Sequence, residues 1–424
     1  MPRSHHTPAS DPALRRLRVA LTVFFAVDGF LFAGWVVRIP AIKAQVGASS
    51  GELGLALLGV SVGAIATMVT TGRLCRAFGS ERVTVATGVL LSLSIALPPR
   101  THSALGLGLV LLLFGISYGG MNVAMNSVAV DLVSALRRPV MSSFHAAYSL
   151  GGLLGSGIGG LLAPHLSPAT HLLLLTPVGL VTVALAGRVL VKHPLSGPVA
   201  RARAAVRSGE EAPARKTGPV PPQETNSAER RPEGDGKPGL ARPSALLVAV
   251  FGLIAACSAY GEGALAEWGP LHIQQDLHGG SGLAAAGYSC VTLAMTIGRL
   301  SGTALLVRLG QTRALVLGGL VACAGMLLAA LAPLVALVMI GFAVTGLGLA
   351  NLFPTAIARA GELTGPSGVA AASTLGYGGM LLGPPTIGFL ADAFGLPTAL
   401  LTVSALAAVA AGIAYSVRNS GAVV

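Results

Sequence analysis

Residues 104–130 read ALGLGLVLLLFGISYGGMNVAMNSVAV, twenty-seven positions without one charged side chain. A helix needs about 20 mostly apolar residues to cross a bilayer, so the run is long enough to span. Asn122 and Asn126 lie inside it, four residues apart and therefore on one helical face. Two amides on one face of a spanning helix suit hydrogen bonds to the hydroxyls of a polar solute. They suit equally well the gluing of neighbouring helices.

Comparable runs lie near 19–38, 53–72, 82–99, 143–164, 170–191, 245–270, 283–306, 313–332, 334–358, 368–391 and 397–417, making twelve with the first. Of the 424 residues, 53% are hydrophobic and 10% charged, against about a quarter charged in a soluble protein. The mean hydropathy is +0.74. The missing polar surface is expected to face lipid, and the 57 glycines suit close helix packing there. The fold expected is an all-α membrane protein, with twelve transmembrane helices in two six-helix bundles. The first run is too long for a cleaved leader and lacks a small-residue cleavage site.

Lys and Arg are retained on the cytoplasmic side. With the N-terminus inside, 25 of the 28 fall on inner segments, leaving Arg38, Lys43 and Arg100 outside. Arg137, Arg138 and Arg299 are counted among the inner ones. Both termini are then cytoplasmic. Residues 193–243, rich in Pro, Gly, Ser, Arg and Glu, cannot bury enough apolar surface to fold. The chain divides into a tail 1–18, a bundle 19–192, a disordered linker 193–243, a bundle 244–418 and a tail 419–424.

The net charge of +12 is spread between apolar runs without a basic face or interleaved aromatics, so no nucleic-acid partner is expected. Cys75, Cys257, Cys290 and Cys323 have no ligand spacing. No metal, cofactor or enzymatic constellation is expected. The bias of 24 Arg against 4 Lys fits a GC-rich bacterium.

The halves resemble each other. Gly115–Gly120 matches Gly341–Gly346 at an offset of 226, and Leu153-Leu154-Gly155 matches Leu381-Leu382-Gly383 at 228. Asp28-Gly29 before Trp35 matches Glu262-Gly263 before Trp268 at 234. Two such halves place a cavity on a pseudo-two-fold axis near the midplane, and rocking them gives alternating access.

In this layout the chain resembles the major facilitator superfamily. Gly120–Asn126, Met141–His145, Ser149–Gly152 and Leu382–Pro385 look like its fucose-permease-like branch, in particular a bacterial inner-membrane subgroup. The resemblance implies a proton-coupled carrier of a sugar-like or other small polar solute. It departs from the family at Arg76, where an acid is usual, and at Asn122, where the branch has an acid. Gly388-Phe389-Leu390-Ala391-Asp392 imitates the family's loop motif but falls on the outer side. The run Gly155–Gly160 resembles the antiporter motif of facilitator drug exporters, with Ser156 in place of proline.

A carboxyl near the bilayer centre is costly when ionised, which favours the neutral form and suits a group that takes up and releases protons. Asp28 and Glu262 are the proton-coupling candidates. Asn122, Asn126, Trp35, Trp268, His145 and Asn351 are the substrate-cavity candidates. The alternative for the tryptophans is a belt at the outer interface. For His145 and Asn351 it is local hydrogen bonding or helix glue. Glu267 and Asp131 are placed nearer the membrane faces. The expected partners are membrane lipid, a small-molecule substrate and protons, and the expected state is a monomer. An exporter of amphipathic drugs or metabolites by proton antiport is the first alternative. A membrane sensor or scaffold is the second.

Overall fold

The computed structural model describes residues 12–136, 140–195, 242–364 and 366–418. The first half comprises α1 (Pro12–Val36), α2 (Ile39–Val46), α3 (Ser50–Phe78), α4 (Ser80–Ser94), α5 (Ala104–Leu136), α6 (Met141–Leu162) and α7 (Pro168–Lys192). The second comprises α8 (Arg242–Glu267), α9 (Gly269–Gln275), α10 (Ser281–Leu309), α11 (Gln311–Leu331), α12 (Val335–Leu349), α13 (Leu352–Thr364), α14 (Pro366–Phe394) and α15 (Leu396–Ser416). Most of the expected linker, residues 1–11 of the expected N-terminal tail, the C-terminal tail 419–424, Arg137 and Arg138 lie outside the described residues, while residues 12–18 of the expected N-terminal tail are helical and begin α1.

Each expected run falls on a helix, the tenth being broken at Ala350-Asn351 into α12 and α13. Among the described residues ten segments are long and apolar enough to cross a membrane, one of them Val335–Thr364 across that break. The expected fifth and eleventh spans, α6 and α14, are not among the ten. Each carries six glycines, which lower hydropathy without shortening the helix.

The packing repeats. In the first half α1 lies on α6 and α7, α5 on α3 and α4, and α4 on α7. In the second, α8 lies on α14 and α15, α12 on α10 and α11, and α11 on α15. The halves meet where α3 lies on α14 and α6 on α10.

Glycines fix the closest of these contacts. A Cβ on Gly151 or Gly155 of α6 would strike the backbone of Ala26 or Phe30 in α1. In the second half Gly379 faces the backbone of Ala256 and Gly383 faces Tyr260, both in α8. From Gly151 to Gly379 is 228 residues, the offset read from sequence. From Ala26 to Ala256 is only 230, so the acid–glycine match at 234 is out of register by four. Four residues is close to one helical turn, so the slip keeps nearly the same face and deceives a pattern search. Packing sets Asp28 against Ser258, with Glu262 a turn further on. The match of Gly115 with Gly341 fails too, since Gly115 meets Val60 of α3 whereas Gly341 meets Gly325 and Ala329 of α11.

One end of the bundle carries the short helices α2 and α9. Each follows a tryptophan, Trp35 or Trp268, and each has proline at its second position, Pro40 or Pro270. There a missing N–H is harmless and the fixed φ suits the first turn.

These contacts separate two kinds of glycine on α6. Gly151→Leu should lower stability by at least about 1–3 kcal/mol through overpacking against a backbone that cannot yield. At Gly157 the space a Cβ would occupy has nothing within 4 Å, so Gly157→Ala should be neutral or stabilising by about 0.5–1 kcal/mol. Thermal unfolding of the detergent-purified variants, ranked by midpoint, is the check.

Candidate functional site

Asp28 is fully buried, and both its carboxylate oxygens lack a hydrogen-bond partner among the described residues. The next residue explains its surroundings. Gly29 has no room for a Cβ because the Tyr148 backbone of α6 lies against it, and this approach draws Tyr148 beside the carboxyl. The Tyr148 hydroxyl is 2.8 Å from that of Tyr118 on α5, and both phenols lie within range of the Asp28 charge. Tyr118 stacks on Phe32 at 5.1 Å and on Phe114 at 6.3 Å. One face of the site is thus an apolar aromatic wall and the other a pair of hydroxyls.

Tyr118, Asn122 and Asn126 follow at four-residue spacing and share a stripe of α5. Both asparagines are half-buried. The Asn126 Nδ2 donates to the Asn122 backbone oxygen at 2.8 Å and to its Oδ1 at 3.3 Å. Across the seam, α10 presents Tyr288, Thr292, Thr296 and Arg299 along one side. Tyr288 lies within electrostatic range of Tyr118, Tyr148, Glu262, Arg299 and Glu267. His145 is exposed on α6 and stands edge-on to Phe25, with centroids 5.4 Å apart.

Other expected site residues are placed differently. Glu262 forms an ion pair with Arg299 at 2.9 Å, so its charge is met by a partner. Arg299 sits within α10, ten residues from its end, and not in a terminal segment. Trp35 is 1% exposed and Trp268 is 0% exposed, which suits neither a belt at the lipid interface nor the open wall of a cavity. Both are enclosed where the chain turns from α1 into α2 and from α8 into α9. The Asn351 Nδ2 donates to the Gly298 carbonyl at 2.8 Å, so this amide ties the α12–α13 break to α10. Among the exporter-like glycines, Gly155 lies against α1 and Gly160 against Ala285 of α10; helix packing accounts for them.

Glu267, which the sequence places near a membrane face, is buried, and its Oε2 has no partner among the described residues. Tyr118, Tyr148, Tyr288 and Arg299 are site residues that the sequence reading does not single out. The four-residue spacing from Tyr118 through Asn126 is the available signal for the first of these. No cluster of His, Cys, Asp and Glu able to hold a metal occurs among the described residues.

The seam between halves is closed at the α2/α9 end. Ser49 caps α3 with a reciprocal bond to Glu52. Two further donors at that terminus, the Ser50 and Gly51 amides, go to Asp392 of α14 at 2.8 and 2.7 Å. The Ser49 hydroxyl also donates to Asp392 at 2.9 Å. Lys43 donates to Ser50 Oγ at 3.0 Å and to Gln275 Oε1 at 3.4 Å. Burial pushes the Lys43 ammonium below its ordinary range, opposed by the charges of Asp392 and Asp276. Deeper in the seam, Ser289 Oγ of α10 donates to Ser156 Oγ of α6 at 2.8 Å.

Comparison with known proteins gives one consistent answer. The family model of the Major Facilitator Superfamily matches residues 19–343 and again 251–422. A protein of Sinorhizobium fredii, "Uncharacterized transporter y4wD", is 32% identical over 393 residues, 92% of this chain and 95% of the relative. Among solved structures, a bacterial homolog of the human lysosomal transporter Spinster matches at a TM-score of 0.73 and 13% identity, covering 96% of this chain and 97% of that one. The D-xylose-proton symporter matches at 0.70 and 13%, covering 95% and 97%. At such identities the structural matches speak for the fold alone.

The Asp392 contact carries a prediction that does not depend on any substrate. In a background without native cysteines, Ser156→Cys with Ser289→Cys should form a disulfide across the seam. Adding Asp392→Ala should slow its formation a few-fold, a modest effect because Asp392 is exposed and water can take over the freed donors. Non-reducing electrophoresis over a time course reads the rate.

Proposed function

The chain belongs to the Major Facilitator Superfamily, and from that premise we propose that it is a proton-coupled secondary transporter of a small polar, sugar-like solute. It works as a monomer of twelve spans in the bacterial inner membrane, by alternating access between its halves. Both termini are cytoplasmic and the α2/α9 end faces outward. The arginines Arg15, Arg16, Arg18 and Arg188 and Lys192 support that orientation, since they lie toward the opposite end of α1 and α7.

One observation carries the reading. Asp28 is held out of water with no cation and no hydrogen-bond donor among the described residues, beside a pair of hydroxyls on the seam-facing helices. A lone buried charge is expensive, so such a carboxyl rests protonated and ionises when water or a donor reaches it. A proton carrier in a transport cycle does this. The Tyr118–Tyr148 pair and the Asn122–Asn126 stripe offer donors and acceptors to a hydroxylated solute, and the Phe32–Tyr118–Phe114 wall offers an apolar face to a ring. The D-xylose-proton symporter, similar in fold, carries a sugar with a proton as its name says, which is consistent with this class.

Two variants test the reading. Asp28→Asn should abolish accumulation against a gradient while leaving expression and thermal stability intact; concentrative uptake by that variant would remove Asp28 from coupling. A sugar or polyol at a hundred times its dissociation constant should stabilise the fold by about 2.7 kcal/mol. Asn122→Ala should abolish that stabilisation. A response confined to amphipathic drugs and aromatic metabolites would favour the exporter instead.

A further inference from the structure

The acid–glycine repeat points to Glu262 as the second-half counterpart of Asp28, and the geometry points elsewhere. Glu262 is matched by Arg299 at 2.9 Å, with both side chains partly open, at 28% and 37% exposure respectively. Five residues on, Glu267 is 8% exposed, its Oε2 has no partner, and no described cation lies within ion-pair distance. Five residues turn a helix by about 500°, or 140° net, so the two carboxyls leave α8 in different directions.

Its neighbours close the pocket. Glu267 ends α8 and is followed at once by Trp268, whose ring is wholly buried and whose Nε1 also lacks a partner. Gly269, at the start of α9, lies against the Phe342 ring of α12. Tyr288 of α10 lies within electrostatic range of it. As an anion this acid has no described cation to neutralise it, and one of its two oxygens has neither a partner nor water-accessible surface. As a neutral acid it has a hydroxyl to donate, and the cost of burial falls from that of a charge to that of a polar group.

We propose that Glu267, not Glu262, is the second proton-binding carboxyl of this protein, paired with Asp28 across the seam. The proposal rests on the proton-coupled reading above. With the α2/α9 end closed, the Glu267 carboxyl holds an O–H. When that end opens, water reaches the end of α8, the O–H bond breaks and the proton passes to water, leaving a solvated carboxylate. Closing the end requires the carboxylate to take a proton back. Tyr288 lies within electrostatic range of the Tyr118–Tyr148 pair, of the Glu262–Arg299 pair and of Glu267. The Glu262–Arg299 pair is held together at 2.9 Å and serves as a fixed element.

Infrared difference spectroscopy of the full-length protein in detergent tests this without a substrate. The carbonyl stretch of a protonated, buried carboxylic acid is separate from that of a carboxylate. On titration from mildly acid to alkaline pH, the parent should lose two such bands as its buried acids ionise. Glu267→Gln should abolish one band and Asp28→Asn the other, while Glu262→Gln should leave both. Glu267→Asp keeps an acid and should shift its band without removing it, which separates loss of the group from misfolding. A band set unchanged by Glu267→Gln, or a band removed by Glu262→Gln, overturns the proposal. The spectra report proton binding alone. If Asp28→Asn also transports concentratively, the coupling reading fails while the assignment of the bands to residues stands.

Discussion

The constraint on which this molecule depends is that polar groups at membrane depth must find partners within the protein, because lipid supplies none. Nearly all of its buried polar side chains comply, many by a hydroxyl donating to a carbonyl four residues back, as Thr84, Ser92, Ser117 and Thr345 do. Against that background the exceptions stand out. Among the described residues Asp28, Glu267, Trp268, Thr71 and one nitrogen of Arg38 are buried with unpartnered atoms, and two of these groups are acids. A carboxyl has a way out that an indole N–H lacks, a change of protonation, and the proposed proton-binding role of the two acids rests on it.

The same packing that withdraws Asp28 from water also equips it. Gly29 admits the backbone of α6, which brings Tyr148 to the carboxyl, and Gly151 and Gly155 admit the backbone of α1 on the neighbouring turns. A larger residue at any of these positions would separate α1 from α6 and let water between them. The second half repeats the device with Gly379 and Gly383 of α14 facing α8, yet puts Ser258 where Asp28 stands and places its isolated acid nine residues further on. The architecture is symmetric and the chemistry is not. One half holds its lone carboxyl at the centre, and the other holds it at the end that closes.

Helix content is legible in the sequence because apolar runs of membrane length admit few other structures, and the division into halves is legible because residues 193–243 are so unlike the rest. The two glycine-rich helices illustrate what composition hides, since glycine reads as weakly apolar while serving tight packing. The site is less legible. Asp28 stands out because a carboxyl in an apolar run is conspicuous. Glu262 is conspicuous for the same reason, but its partner Arg299 lies thirty-seven residues away on another helix, and no local pattern announces that pairing. Glu267 is hidden by its position along the helix, a measure that ignores what α9 and α12 fold over it. The tryptophans mislead because a belt is inferred from depth, while burial is decided by the chain that follows them.

The contacts between the halves combine the kind found within them with polar ties that water can replace. Inside each half, glycine backbones interlock with helix backbones, contacts that cannot loosen gradually because a close-packed surface loses its dispersion attraction over a fraction of an ångström. Between the halves at the α2/α9 end, Gly54 of α3 meets the Pro384 backbone and Gly388 of α14 meets the Ser50 backbone in the same way, joined by the Asp392 bonds to α3 and the Lys43–Gln275 bond, with the Ser156–Ser289 bond deeper in the seam. Asp392 is exposed, so water replaces the protein's bonds there at a net cost of about 0.5–1.5 kcal/mol each. Opening that end exchanges the polar ties for water at small cost and gives up the contacts of Gly54 and Gly388, whereas distorting a bundle gives up glycine contacts along its helices. On the alternating-access reading proposed above, the halves rock as intact bodies, and the proton state of a carboxyl at the closing end is suited to bias them.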